Sequence, residues 1–469
     1  MNKELYKPTF TLSLLTFSAI IAVIGIGLFY LETSLHSLML ISLIIAGVSA
    51  FKLSEDGFTS IRNAMNGGIT KALSALYIFI LVGVLIAAFV QSGTVAALIF
   101  YGLEIISPTI FLPAGLILCS FMSIATGTSW GTVGTAGVVL MGIGEVMGIP
   151  LPIVAGMVIS GACFGDKMSP VSDTTNLAAM VSDTDLYSHI KSMLSTTLPA
   201  YLISLAVFTF VGLQYANQPL PTETLNLMLV GIENTYSISV ICLLPFIIML
   251  LMSLKKISAE VSMLSAAIVA VFIAIVFQGA NLTTVLNSLY SGGSFETGIE
   301  TLNNLFSRGG ISSMMWTFSL AVMALALGGI LSDFGFLRTL IATILIKVKR
   351  TSSLIATTII SCFIGNMTMG EAYMSIILGG QLYGKAYDDH GLDRKMLSRS
   401  LEEGATLTTA LIPWTTGGAF FASTLGVDVL DYAPWALLNW INPLLSILLA
   451  TLGIAVFRTV KNNSMKNES

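Results

Sequence analysis

Stretches of about 20 mostly apolar residues, the length a helix needs to cross a bilayer core, recur from end to end of this 469-residue chain. A soluble domain carries roughly a quarter charged residues; here the share is 10%, against 55% hydrophobic residues and a mean hydropathy of +0.88. The pattern predicts an all-α polytopic membrane protein. Apolar runs fall near 10–30, 35–51, 72–99, 190–213, 238–254, 259–278, 312–332 and 433–457. Four further segments, 111–141, 150–180, 354–380 and 401–425, are apolar but interrupted by Gly, Pro, Asp and Thr. The first run is too long, and too poorly followed by a cleavage site, for a signal peptide, and is expected to stay as an anchor.

Basic residues orient the chain, because cytoplasmic loops carry the excess of Lys and Arg. With a cytoplasmic N-terminus, all of the 21 basic residues except Lys167 and Arg308 fall on one side. The loops near 31–36, 100–110, 142–149, 214–237, 279–311 and 426–432 are nearly free of them. Both termini are then cytoplasmic, with a tail at 458–469. The assignment holds only if 111–141 and 354–380 each leave the membrane on the side they entered, as re-entrant hairpins of opposite orientation. An internal match supports this. Thr128-Ser129-Trp130-Gly131 matches Met367-Thr368-Met369-Gly370 at an offset of 239, and Ser169–Asp173 matches Ile412–Thr416 at an offset of 243. The expected architecture is two inverted repeats of about five spans each, 1–214 and 238–457. Each carries one hairpin (111–141; 354–380) and one broken helix (150–180; 401–425). Such paired interruptions point to a transporter with its site at the repeat interface.

Other function classes find little support. No basic block suits nucleic acid. Cys119, Cys163, Cys242 and Cys362 lie in apolar runs without a CxxC pair and read as small core residues. His36, His189 and His390 show no metal-ligand spacing. Neither a nucleophile–base constellation nor a cofactor box is apparent, so no enzyme and no cofactor is expected.

Ionisable residues inside a membrane are costly and need a partner and a purpose. The run from Gly161 to Asn176 holds Asp166, Lys167, Pro170 and Asp173 among hydroxyls where a span should cross. Pro170 removes a backbone donor and frees helix carbonyls, which with Ser and Thr hydroxyls and a carboxylate make a small-cation ligand set. Asp173 is the first candidate for carrying the coupled ion, supported by Asp166, Thr174, Thr175 and Asn176; Asp173, Thr174 and Asn176 are the candidate Na+ ligands. A carboxylate suits the task because Na+ and H+ compete for the same oxygens. Thr128 and Ser129 sit at the first hairpin tip, where glycines permit tight turning. Asn366, Thr368 and Glu371 occupy the matching tip, and Thr416 the polar backbone opposite Asp173. Glu402 and Glu403, near Arg399, read as an interfacial helix start, and Asp333 as the partner of Arg338 in an interfacial salt bridge.

The run Gly165-Asp166-Lys167-Met168-Ser169-Pro170-Val171-Ser172-Asp173-Thr174-Thr175-Asn176 resembles the signature of the NhaC family of sodium/proton antiporters. So do Gly127–Thr132, Gly148–Pro152 and Thr184-Asp185-Leu186. The resemblance implies the ion-transporter fold, transport of Na+ and H+ without a cofactor, a bacterial plasma-membrane location and a homodimer. The second half departs from it: Glu371-Ala372 stands where the family has an Asp-Gln pair, and Thr415-Thr416-Gly417 where an Asn-Thr-Cys run is typical. The family also includes exchangers of malate with protons for lactate with sodium, which keeps a carboxylate exchanger as the alternative. A channel is disfavoured, since paired tips of opposite orientation suit alternating access.

Overall fold

The computed structural model describes residues 7–459 other than 55, 106, 216–221, 256, 300–301, 304–305, 308 and 347. Lys3, Lys256, Arg308, Lys347, Lys461 and Lys466, and the tail beyond residue 459, lie outside the described residues. Among the described residues the fold is all-helical, apart from an isolated bridge between Leu392 and Arg458. Within them, 6 helices are long and apolar enough to cross a membrane, or up to 9 if each sharply bent pair is one span.

Continuous apolar runs became helices close to the expected bounds: Phe10–Phe29, Leu35–Phe51, Leu186–Gln214, Ala259–Val276 and Ile311–Asp333. The 72–99 run is instead two helices, Leu73–Gln91 and Thr94–Ile105, because Gly93 turns left-handed (φ 73°) between them. The helices Phe58–Lys71, Thr222–Thr235, Leu282–Ser291 and Phe336–Leu345 have no counterpart among the apolar runs. Each carries polar residues among its apolar ones in sequence, so none forms a continuous apolar stretch. Asp333 pairs with Lys71, at 3.7 Å, whereas Arg338 donates to Gln381; the helix Phe58–Lys71 supplies the nearer partner.

The interrupted segments break where their sequence dictates. Pro108–Thr126 ends at Gly127 and Thr351–Met369 ends at Gly370, both left-handed C-caps (φ 71° and 68°) of the kind glycine supplies without a Cβ penalty. The chain then restarts from N-caps Thr128 and Glu371. Leu151–Met168 stops before Pro170 and resumes at Asp173 on the N-cap Ser172. Arg394–Thr409 stops before Pro413 and resumes at Thr416 on the N-cap Thr415. These landmarks recur at one spacing: Pro108 and Thr351, Gly127 and Gly370, Leu151 and Arg394, and Ser172 and Thr415 each lie 243 residues apart. The hairpin match at 239 is therefore corrected to 243, which sets Thr128 against Glu371.

Small residues let the first hairpin meet the first broken helix backbone to backbone. A Cβ on Gly161 would lie 2.5 Å from the Leu116 carbonyl oxygen, and one on Gly165 only 2.3 Å from that of Ser120. Gly165→Val should cost more than the about 1–3 kcal/mol of ordinary overpacking, since a rigid backbone stands in the way. Loss of the monodisperse peak in size-exclusion chromatography after detergent extraction is the expected result. All four cysteines are buried and free.

Candidate functional site

Both hairpin tips and both helix breaks end at one cavity of about 520 Å³. Its wall carries Thr128, Ser129 and Trp130 from the first tip and Glu371, Ala372 and Tyr373 from the second. Asp166, Lys167, Asp173 and Thr174 come from the first broken helix, and Thr409, Thr416 and Gly417 from the second. Four helices end here, at Thr126, Met168, Met369 and Thr409, and helical segments restart at Ser129, Asp173, Ala372 and Thr416. The partial charges at helix C- and N-termini, about −0.5 and +0.5, offset one another in these pairs. Side chains therefore set the sign of the site.

The polar centre is a buried ion cluster. Lys167 Nζ is 2.9 Å from Glu402 Oε1 and 3.4 Å from Asp166 Oδ2, and it donates to Thr174 Oγ1 at 2.7 Å. Only 2% of Lys167, 6% of Asp166 and none of Glu402 is exposed, so the ammonium is held by its partners rather than by water. Ser129 Oγ donates to Asp166 Oδ2 at 2.8 Å, which ties the first tip to the cluster. Thr175 Oγ1 donates to the Asp166 carbonyl at 3.3 Å and to Glu402 at 3.5 Å from behind the wall.

Asp173 faces the cavity beside this cluster. It receives the Thr174 amide at 2.7 Å and the Tyr373 hydroxyl of the opposite tip. Glu371 receives the Thr416 hydroxyl on one oxygen and the Tyr373 amide on the other. Tyr373 thus touches both carboxylates. Trp130 stacks on Phe420 of the second broken helix, with ring centroids 4.5 Å apart.

The cavity brings together Asp166, Asp173, Thr174, Thr128, Ser129, Glu371 and Thr416. Asn176 is outside it: its amide donates to the Pro170 and Ser172 carbonyls, clasping the break it follows. Asn366 is buried behind the second tip, donating to the Ala405 carbonyl at 2.5 Å and to Thr408 Oγ1 at 2.8 Å.

Glu402, Glu403 and Arg399 require correction. Their helix begins at Arg394, capped by Asp393, which puts both glutamates well inside it and wholly buried. Glu403 accepts from Thr196 at 2.5 Å and lies 3.8 Å from Arg399. Arg399 is buried too, donating to Ser195 and the Ala455 carbonyl. The signal for Glu402 was Lys167 itself. A buried ammonium with one acid beside it in sequence, itself shared with the Ser129 hydroxyl, calls for a further carboxylate from elsewhere in the fold. Tyr373 was signalled only by standing two residues beyond Glu371.

Comparison with known proteins adds the decisive observation. Residues 161–454, from the first broken helix through the second, match the model of the Na+/H+ antiporter family. The chain belongs to that family. Among its relatives, the Na+/H+ antiporter NhaC of Alkalihalophilus pseudofirmus is 38% identical over 96% of this chain and 97% of its own length. A malate-2H+/Na+-lactate antiporter of Bacillus subtilis is 36% identical over 99% of both chains. The arginine/ornithine antiporter ArcD of Halobacterium salinarum is 32% identical over 95% of this chain and 93% of its own length. One antiporter family therefore holds relatives whose names specify different cargoes.

Proposed function

We propose that this antiporter exchanges Na+ for protons by alternating access, with Asp173 holding one or the other. The observation that carries the reading is an imbalance of charge. Inside the rim, where Lys71 and Glu260 stand, Asp166, Asp173 and Glu371 line the cavity and Glu402 lies against Lys167, four carboxylates around one buried ammonium. With the helix-end charges offset, ionised carboxylates outnumber cations there, and a charge inside a membrane demands a partner. Small cations and protons answer that demand interchangeably. Asp173, which lines the cavity together with Thr174, Thr128 and Ser129, is where they would compete.

The rim residues Lys71, Ile257, Ser258 and Glu260 adjoin loops that the distribution of Lys and Arg assigns to the cytoplasm. We read this conformation as open to that side, with both termini there. The common spacing of caps and breaks supports two repeats, 1–214 and 238–457, and the distribution of Lys and Arg supports their opposite orientation. Family membership supports the bacterial plasma membrane, lipid against the apolar faces and a homodimer.

A second reading, sodium- and proton-coupled exchange of malate or lactate, has one observation in its favour beyond the relative that carries that name. A cavity of about 520 Å³ is in the size range of small-molecule sites and far larger than a bare ion needs. Against it, a dianion would join a site already rich in carboxylates. Proton efflux from acid-loaded proteoliposomes on adding NaCl separates the two. Efflux with NaCl alone is expected; efflux that requires malate or lactate would establish the second reading instead.

A further inference from the structure

The 243-residue spacing sets three pairs of cavity positions in register: Asp166 with Thr409, Asp173 with Thr416, and Thr128 with Glu371. Each pair holds one carboxylate and one hydroxyl. The acid lies on the broken helix in the first half and on the hairpin tip in the second. The first half thus presents Asp173, Asp166 and the hydroxyl of Thr128, and the second presents Glu371 and the hydroxyls of Thr409 and Thr416.

Glu371 differs from the other buried acids in its surroundings. Asp166 and Glu402 share Lys167. Glu371 is only 3% exposed, yet among the described residues no Lys, Arg or His lies within ion-pair distance of it. Its donors are the Thr416 hydroxyl and the Tyr373 amide, both neutral. A carboxylate shielded from water and given no countercharge is stable only when it takes up a proton or a metal cation. Hydroxyl oxygens, which a small monovalent cation accepts as ligands, share the cavity wall with it: those of Thr409 and Thr416.

We infer that Glu371, with Thr409 and Thr416, forms a second cation site related to the Asp173 site by the internal repeat, so that two Na+ ions bind per chain. The inference rests on the Na+/H+ reading. Tyr373 joins the two sites through its hydroxyl to Asp173 and its amide to Glu371, so occupancy of one is felt at the other.

Equilibrium binding of radioactive Na+ to the purified full chain tests this, together with the Na+ dependence of proton efflux. Two ions per chain are expected in the natural protein and one in Glu371→Gln. The Hill coefficient of efflux should fall from about 2 toward about 1, the limit set by the number of sites. Glu371→Asp should keep both ions. Thr416→Val should lose one and Thr416→Ser should not, which preserves the test should Glu371→Gln fail to give a monodisperse peak. One ion bound by the natural protein, or equal binding by it and Glu371→Gln, overturns the second site. Absence of any Na+ binding, with efflux only on adding malate or lactate, refutes the Na+/H+ reading and the second site with it.

Discussion

Asp173→Asn should reduce Na+-driven proton efflux by at least about 100-fold, or about 2.7 kcal/mol, without harming the fold. An amide neither releases a proton nor offsets the charge of a bound cation, so both halves of the exchange lose their carrier. The fold should survive because the side chain faces the cavity, and the amide oxygen can still accept the Tyr373 hydroxyl or the Thr174 amide that bind the carboxylate now. Efflux from proteoliposomes, read beside the size-exclusion profile of the same preparation, gives the answer. A monodisperse variant with full activity would remove Asp173 from the mechanism.

Lys167→Met should have the largest effect on stability. It leaves Asp166 and Glu402 facing each other with their common cation removed. Breaking a buried ion pair by deleting one partner costs about 3–5 kcal/mol, much of it the charge left behind. Adding Glu402→Gln should restore part of that loss, since the second change removes one stranded carboxylate; a coupling of about 0.5–3 kcal/mol is ordinary for contacting residues. Thermal unfolding midpoints of the single and double variants in detergent measure it. Equal midpoints for Lys167→Met and the natural protein would mean that the cluster adds nothing to stability.

Much of the architecture was legible because lipid imposes a length and an apolar composition on any helix it surrounds. The runs at 10–30, 35–51 and 259–278 could be little else. Legibility failed where that constraint relaxes. Phe58–Lys71 and Phe336–Leu345 each carry polar residues among the apolar ones, so a search for unbroken apolar runs passed over them. At the site, Asp166, Asp173 and Glu371 stood out as acids in otherwise apolar segments, and the structure brings them to one cavity. Glu402 was hidden by its neighbours: an acid pair near an arginine reads as a solvated helix start, and only the three-dimensional proximity of Lys167 and Thr174 changes that. The hairpin register slipped by four residues because side-chain similarity is weak between the halves. Backbone landmarks, a left-handed glycine followed by an N-cap, are stricter than side-chain identity.

Contacts at the cavity join opposite halves of the chain, among them Lys167 to Glu402, Tyr373 to Asp173, and Trp130 against Phe420. Pulling the halves apart would strand an ammonium and its carboxylate in an apolar interior. A hinge between the two halves of the chain would break these contacts. On the proposed exchange, the tips and broken helices would travel more cheaply as one cargo-bearing block, with the sliding seam around it and the ion carried inside its ligand shell.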